Sequence, residues 1–139
     1  MHILMADDDQ EDFMILQEAA AKVAETLTIS YAGNWMAMWK SLMKALPHAV
    51  LLDLNMPVKD GFECLQTLRA DDKFNELPVI IYSTSLNKTD IDKAYEYGAN
   101  YFVVKPNSME EITTILKKIY SMNEAMLLSR PGREEFVIV

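Results

Sequence analysis

The chain has 139 residues, with 21 Asp and Glu against 13 Lys and Arg, and a formal net charge of −8. This length suits one domain with a core of its own, and the acidic balance argues against nucleic acid or an anionic membrane surface as partner. One cysteine, Cys64, excludes an internal disulfide or a thiolate metal cage and suits a reducing, cytoplasmic setting.

The start, Met1 to Ala6, has no basic region and runs straight into three aspartates, so no signal peptide is expected. No apolar run approaches the length of a membrane span. Gly33, Gly61, Gly98 and Gly132 are too widely spaced for a dinucleotide fingerprint or a P-loop. His2 and His48 lie far apart with no HExxH pattern, which disfavours a histidine zinc site.

Residues 3–6 read as the first strand. A helix follows, with Phe13, Leu16, Ala20 and Val23 on one face. Asp9 or Asp8 can cap it, and Glu11 and Asp12 favour its positive end. Residues 27–31 read as strand two. Trp35, Met38, Trp39, Leu42 and Leu46 make the second helical stripe, with Asn34 as cap. Residues 49–52 are a continuously apolar strand, as in a sheet buried on both faces. Phe62, Leu65 and Leu68 mark a third helix, and residues 79–82 the fourth strand. Ile91, Ala94 and Tyr95 mark a fourth helix, opened by Asn87 with Asp90 three residues on and closed by Gly98. Residues 101–104 are the fifth strand, and Ile112, Ile115, Leu116 and Ile119 make the fifth helix, starting near Ser108.

Strand and helix alternate five times. This predicts an α/β, doubly wound, five-stranded parallel sheet of order 2-1-3-4-5 with helices on both faces. The expected domain spans residues 1–123, and residues 124–139 form a C-terminal tail. Within it, Arg130-Pro131-Gly132-Arg133 reads as a turn and residues 136–139 as a short strand. The tail is a frayed end, an added edge strand, or an arm onto a second subunit or a partner.

In such a sheet, ligands bind beyond the carboxyl ends of the strands. Asp7, Asp8 and Asp9 follow strand one. Asp53, Leu54, Asn55, Met56 and Pro57 follow strand three, Ser83, Thr84 and Ser85 strand four, and Lys105 and Pro106 strand five. Singly, each acid is a cap or loop residue and Lys105 a solvated lysine. Together they converge on one edge, where clustered carboxylates repel unless a cation sits among them. Mg²⁺, a hard oxygen-seeking ion, suits a site that also takes phosphate. Lys105 adds a fixed charge for phosphate oxygens and Ser83 a small donor. This chemistry allows phosphoryl transfer to Asp53 as a nucleophilic carboxylate.

The segments Ile3-Leu4-Met5-Ala6-Asp7-Asp8, Leu51 to Gly61 with Asp53-Leu54-Asn55-Met56-Pro57-Val58-Lys59-Asp60-Gly61, Pro78 to Ser83, and Gly98 to Pro106 resemble the receiver domain of two-component response regulators. The likeness spans residues 2 to 122 and implies a flavodoxin-like receiver fold. It implies that Asp53 is the phosphoacceptor, served by a sensor histidine kinase or a histidine phosphotransfer protein. It implies that Asp8, Asp53 and the Asn55 carbonyl hold Mg²⁺, with Asp7 acting through water. Ser83, fifteen residues before Gly98 as in the family, and Lys105 would contact the phosphoryl group. Phe102 falls at the aromatic position whose ring turns with the Ser/Thr shift, altering the face of helix 4, strand 5 and helix 5. The Lys105–Pro106 bond is often cis in the family.

Helix 2 departs from the family: Trp35-Met36-Ala37-Met38-Trp39 is read as core packing rather than a greasy surface, and the ten methionines as pliable filler. Cys64 is read as a small buried group and Asp60 as a turn residue before Gly61. Asn55 and Ser85 leave the water path open, so phosphoryl loss neither very slow nor very fast is expected.

The leading expectation is a stand-alone receiver, a phosphoacceptor and not a turnover enzyme. It would be a monomer or homodimer signalling by protein contact or relaying the phosphoryl group, since residues 123–139 are too few for an output domain. One alternative is a phosphorylation-independent adaptor with the same fold. An Mg²⁺-dependent phosphohydrolase is disfavoured, because Asn55 stands where a second acid is needed.

Overall fold

A computed structural model describes residues 1–139. The elements alternate as β1 (His2–Ala6), α1 (Gln10–Val23), β2 (Thr28–Ala32), α2 (Trp35–Lys44), β3 (Ala49–Leu52), α3 (Gly61–Ala70), β4 (Val79–Ser83), α4 (Lys88–Glu96), β5 (Tyr101–Val104) and α5 (Met109–Tyr120). A short α6 (Glu124–Leu128) and β6 (Val137–Ile138) follow.

The sheet order is β2-β1-β3-β4-β5-β6, and all pairings are parallel. The five expected strands stand in the expected order. The sixth is the part of the tail that pairs with the outer edge of β5, Val137 facing Phe102 and Ile138 facing Val103. Of the three readings of that segment, the added edge strand is the one observed. No helix is long and apolar enough to cross a membrane.

Side-chain alternation along the strands divides the core in two. Ile3, Met5, Leu51, Ile80 and Val103 face α1 and α5. Leu4, Ala6, Leu52, Ile81 and Phe102 face α2, α3 and α4. The central strands are buried on both sides, which is why they lack the polar alternation of a solvated sheet.

Capping sets the helix starts. Asp9, not Asp8, caps α1, accepting from the amides of Glu11 and Asp12. Asp60 and Glu63 form a reciprocal capping box on α3. Asn87 caps α4 by accepting from Thr89, while Asp90 is drawn away to Ser85. Gly98 closes α4 at φ 98°, a left-handed turn that suits glycine.

Helix 2 divides the expectation for its aromatic stripe. Met38 and Leu42 are buried, but Trp35 and Trp39 are half-buried and Met36 and Met43 exposed. The two indoles lie 5.2 Å apart, and Lys59 Nζ sits 3.9 Å above Trp35. The methionines likewise divide: Met5, Met38 and Met56 fill the core, whereas Met14, Met36, Met43 and Met126 face solvent. Cys64 is buried, and that burial pushes its thiol up to about 12, so it is inert at neutral pH.

Candidate functional site

The backbone delivers the site residues. The Asp7 amide donates to Ala32 O, Asp53 to Ala6 O and Lys105 to Ser83 O. Each residue is therefore held at a strand terminus by the neighbouring strand. Parallel strands share their polarity, so these termini gather on one edge of the sheet.

Oxygens of Asp7, Asp8 and Asp53 lie within 4.8 Å of one another. Asp7 is 1% exposed and Asp53 5%, while Asp8 opens to solvent. Asp7 Oδ1 accepts from the Asp9 amide at 2.9 Å. Its Oδ2 lies 2.7 Å from Lys105 Nζ, an ion-pair contact, yet it has no well-directed hydrogen bond. A buried carboxylate oxygen left with spare acceptor capacity, beside two further acids, fits a cation with oxygen ligands.

Lys105 is the counter-charge. Its Nζ also lies 2.8 Å from Asp12 Oδ2 and 3.9 Å from Asp53 Oδ2. Burial alone would depress this ammonium. The hydrogen bond to Asp12, the close ion pair with Asp7 and the charge of Asp53 outweigh burial and push it above its ordinary value. Asp12 is a partner that periodicity could not reveal: it reads as a first-turn acid, and only the fold brings it to Lys105.

Asp53 sits at about 6, above the usual carboxylate range. Burial is the main cause, with the charge of Asp7 next; Lys105 and the Asn55 amide pull the other way, and Asp8 adds to the rise. Burial, with the charges of Asp12 and Asp7 and against the pull of Lys105, likewise pushes the Tyr82 phenol up to about 12.

Ser83 is buried at the end of β4, and its hydroxyl accepts from the Ser85 amide at 3.2 Å. Thr84 is exposed. Asn55 is exposed beside Asp53. Phe102 is 0% exposed and lies on β5 beneath the tail, its ring 6.2 Å from that of Phe136. The Lys105–Pro106 bond is trans, because the chain has no cis peptide bond. In this chain the bond thus differs from the cis form often found in the family.

The loop from Asp53 to α3 is tightly drawn. Val58, fully exposed, holds φ 68°, a strained value for a β-branched residue. The Gly61 amide donates to Leu54 O, and a Cβ on Gly61 would stand 2.3 Å from Asp53 O and 2.7 Å from Leu54 Cα. Gly61→Ala is therefore expected to cost about 1–3 kcal/mol by overpacking against backbone. A urea melt measures it; a midpoint equal to wild type would mean that the loop yields freely.

Arg69 holds distant segments together. Its guanidinium donates to Gly98 O, Phe74 O and Asn100 Oδ1, tying α3 to the start of β5. Burial, and to a lesser degree Arg130, lowers it to about 10, still charged at neutral pH.

Comparison with known proteins places the chain in a family. The family model described as response regulator receiver domain matches residues 3–117. Response regulator Rcp1 of Synechocystis sp. is 28% identical over 130 residues, covering 86% of each chain. The Mn²⁺-bound form of Rcp1 superposes with a TM-score of 0.74 at 25% identity, covering 94% of this chain and 99% of that one. Response regulator RPA3017, from red light signalling of R. palustris, superposes with a TM-score of 0.80 at 29% identity, covering 94% of this chain and 98% of that one. Transcriptional regulatory protein RprY of Bacteroides fragilis is 33% identical over 122 residues, but the chain, 86% covered, spans only 49% of its length. With the family model covering most of its length and the acids, hydroxyl and lysine gathered at one sheet edge, this chain belongs to the response regulator receiver domain family of two-component systems.

Proposed function

We propose that Asp53 accepts a phosphoryl group from the phosphohistidine of a sensor histidine kinase or a histidine phosphotransfer protein. The supporting observation is a nucleophile-bearing carboxylate at the end of β3 with two acids beside it and one ammonium 3.9 Å away. An Asp53 oxygen forms the new P–O bond as the P–N bond of the donor breaks, and the imidazole leaves carrying that electron pair.

Asp8, Asp53 and the backbone carbonyl of Asn55, with Asp7 beside them, would hold Mg²⁺. When bound, the ion offsets negative charge on the transferred group. Lys105 would contribute a fixed positive charge, its Nζ lying 3.9 Å from Asp53 Oδ2. The Ser83 hydroxyl, once it leaves the Ser85 amide, donates to a phosphoryl oxygen. Phe102 lies on β5, directly across from Ile81 and two residues below Ser83 in register. A movement of Ser83 is thus felt along the same sheet face.

The test is incubation with Mg²⁺ and acetyl phosphate, followed by intact mass and peptide mapping. A gain of one phosphoryl group on the peptide bearing Asp53 is expected, with the rate falling by about 100-fold or more on chelation. Uptake that persists undiminished in chelator would remove the ion from the reading.

A further inference from the structure

The segment after α6 does not trail into solvent. It folds over the surface formed by α4 and β5. Phe136 is 0% exposed, with its ring 6.2 Å from Phe102 and edge-on to Tyr95 at 5.0 Å. The Phe102 amide donates to Phe136 O at 3.0 Å, and β6 adds to the edge of β5. Phe136 thus covers the outer side of Phe102.

Helix α4 holds this segment from the other side. Tyr95 donates its phenol to Pro131 O at 2.9 Å. Arg133 pairs with Asp92 at 2.8 Å, and the Arg130 guanidinium lies 4.1 Å above the Tyr95 ring. The start of α4 is tied to the candidate site. Ser83 Oγ accepts from the Ser85 amide, and Ser85 Oγ donates to Asp90 Oδ2 at 2.8 Å in the first turn of the helix. A continuous chain of contacts therefore runs Ser83, Ser85, Asp90, α4, Tyr95 and Asp92, then Phe136 and Arg133.

We propose that residues Arg130–Val139 are an internal occupant of the α4–β5 surface, and that phosphorylation of Asp53 loosens them by drawing Ser83 away from Ser85. The surface so opened takes a partner segment with the chemistry of its present occupant. That means an aromatic side chain for the Phe136 position, an aliphatic strand for the edge of β5 and a cation for Asp92. The proposal rests on the phosphoacceptor reading. The latch suits release: β6 has two residues, and the Arg133–Asp92 pair is largely exposed and so weak. One buried ring is its main anchor.

The Phe102 amide reports docking directly, because its acceptor is in the tail. Hydrogen exchange of the full chain, with phosphorylation followed by intact mass, tests the proposal. With Mg²⁺ and acetyl phosphate, Phe102 exchange is expected to accelerate by about tenfold or more, within the usual range of coupling between sites. Tryptic cleavage after Arg133 should speed up in parallel, while the amide of Leu51 is unchanged. Phe136→Ala should exchange fast at Phe102 with or without the phosphodonor. Its phosphorylated fraction at a matched donor concentration should also be higher, since coupling between the two equilibria is reciprocal. Phosphorylated protein with unaltered Phe102 exchange overturns the latch and leaves Asp53 as acceptor. Ser85→Ala tests the relay with no phosphodonor present: it should accelerate Phe102 exchange, and exchange equal to wild type overturns the relay even if no phosphate is ever taken up.

Discussion

Asp53→Asn is expected to make the protein more stable in metal-free buffer at neutral pH, while abolishing phosphoryl uptake. The loss of uptake follows from removing the nucleophilic oxygen. The gain in stability is less obvious and follows from the environment of the carboxylate. Burial and the charge of Asp7 hold it at about 6, against an ordinary value of 3.8. The folded protein therefore binds this proton more tightly than the unfolded chain does. Below about pH 4 the carboxyl is neutral in both states, and the full stabilisation from its protonation is present. As pH rises through 4 to 6 the unfolded chain loses the proton first, and stability falls. Above about 6 the ionised carboxylate costs the fold on the order of 2–3 kcal/mol.

Asparagine keeps the shape and never ionises. Its advantage should be near zero at pH 4 and reach roughly 2 kcal/mol at pH 7.5, worth about 5–10 °C in Tm for a domain of this size. Mg²⁺ reverses the comparison, because the cation favours the charged form and asparagine offers it less. Thermal melts of both proteins at the two pH values, in chelator and in Mg²⁺, separate these effects. An advantage of equal size at pH 4 and 7.5 would falsify the charge account and point to packing instead.

Much of this site can be read in the sequence, for a physical reason. A parallel sheet puts every strand's carboxyl end on one edge, so Asp7, Asp8, Asp53, Ser83 and Lys105 are brought together by topology alone. Strand positions and helix faces follow from apolar runs too short for helices and stripes too periodic for strands, and the order 2-1-3-4-5 from the common arrangement of five alternating strands. What could not be read depends on contacts far apart in the chain. Asp12 reads as an acid favouring a helix N-terminus, yet the Lys105 stem brings the ammonium to it across the cleft. Nothing in the local sequence marks the partners of Arg69, which lie as far away as Asn100. The final apolar residues read as a strand of undecided place. Their register on β5 is set by Phe136 filling the space between Tyr95 and Phe102, which no local pattern encodes. Half-burial of Trp35 and Trp39 has the same origin: a stripe fixes a helix face, but not how far neighbouring elements cover it.

Lys105→Met is expected to have the opposite sign to Asp53→Asn: a large loss of stability without metal. Methionine retains an unbranched apolar stem, so the change isolates the charge. Lys105 Nζ is within 2.8 Å of both Asp7 and Asp12, and its side chain is 11% exposed. Its removal leaves the buried Asp7 carboxyl group with no cation near. Breaking a buried pair from one side costs about 3–5 kcal/mol when the remaining charge has no escape. Asp12 can turn to solvent, which places the expectation at the lower end, near 3 kcal/mol. Added Mg²⁺ should restore much of this, and should stabilise the variant more than wild type, because the ion supplies the charge that the lysine supplied. Lys105→Arg keeps a charge but in a larger planar fork, so it should recover stability better than phosphoryl uptake. Urea melts in chelator and in Mg²⁺ measure each step. The double variant is the decisive comparison. With Asp53 already neutral, the lysine offsets one acid fewer, so its loss should cost less than in wild type, by about 0.5–3 kcal/mol. Strict additivity would mean that the 3.9 Å between Lys105 and Asp53 carries no interaction, and that the ammonium serves Asp7 and Asp12 alone.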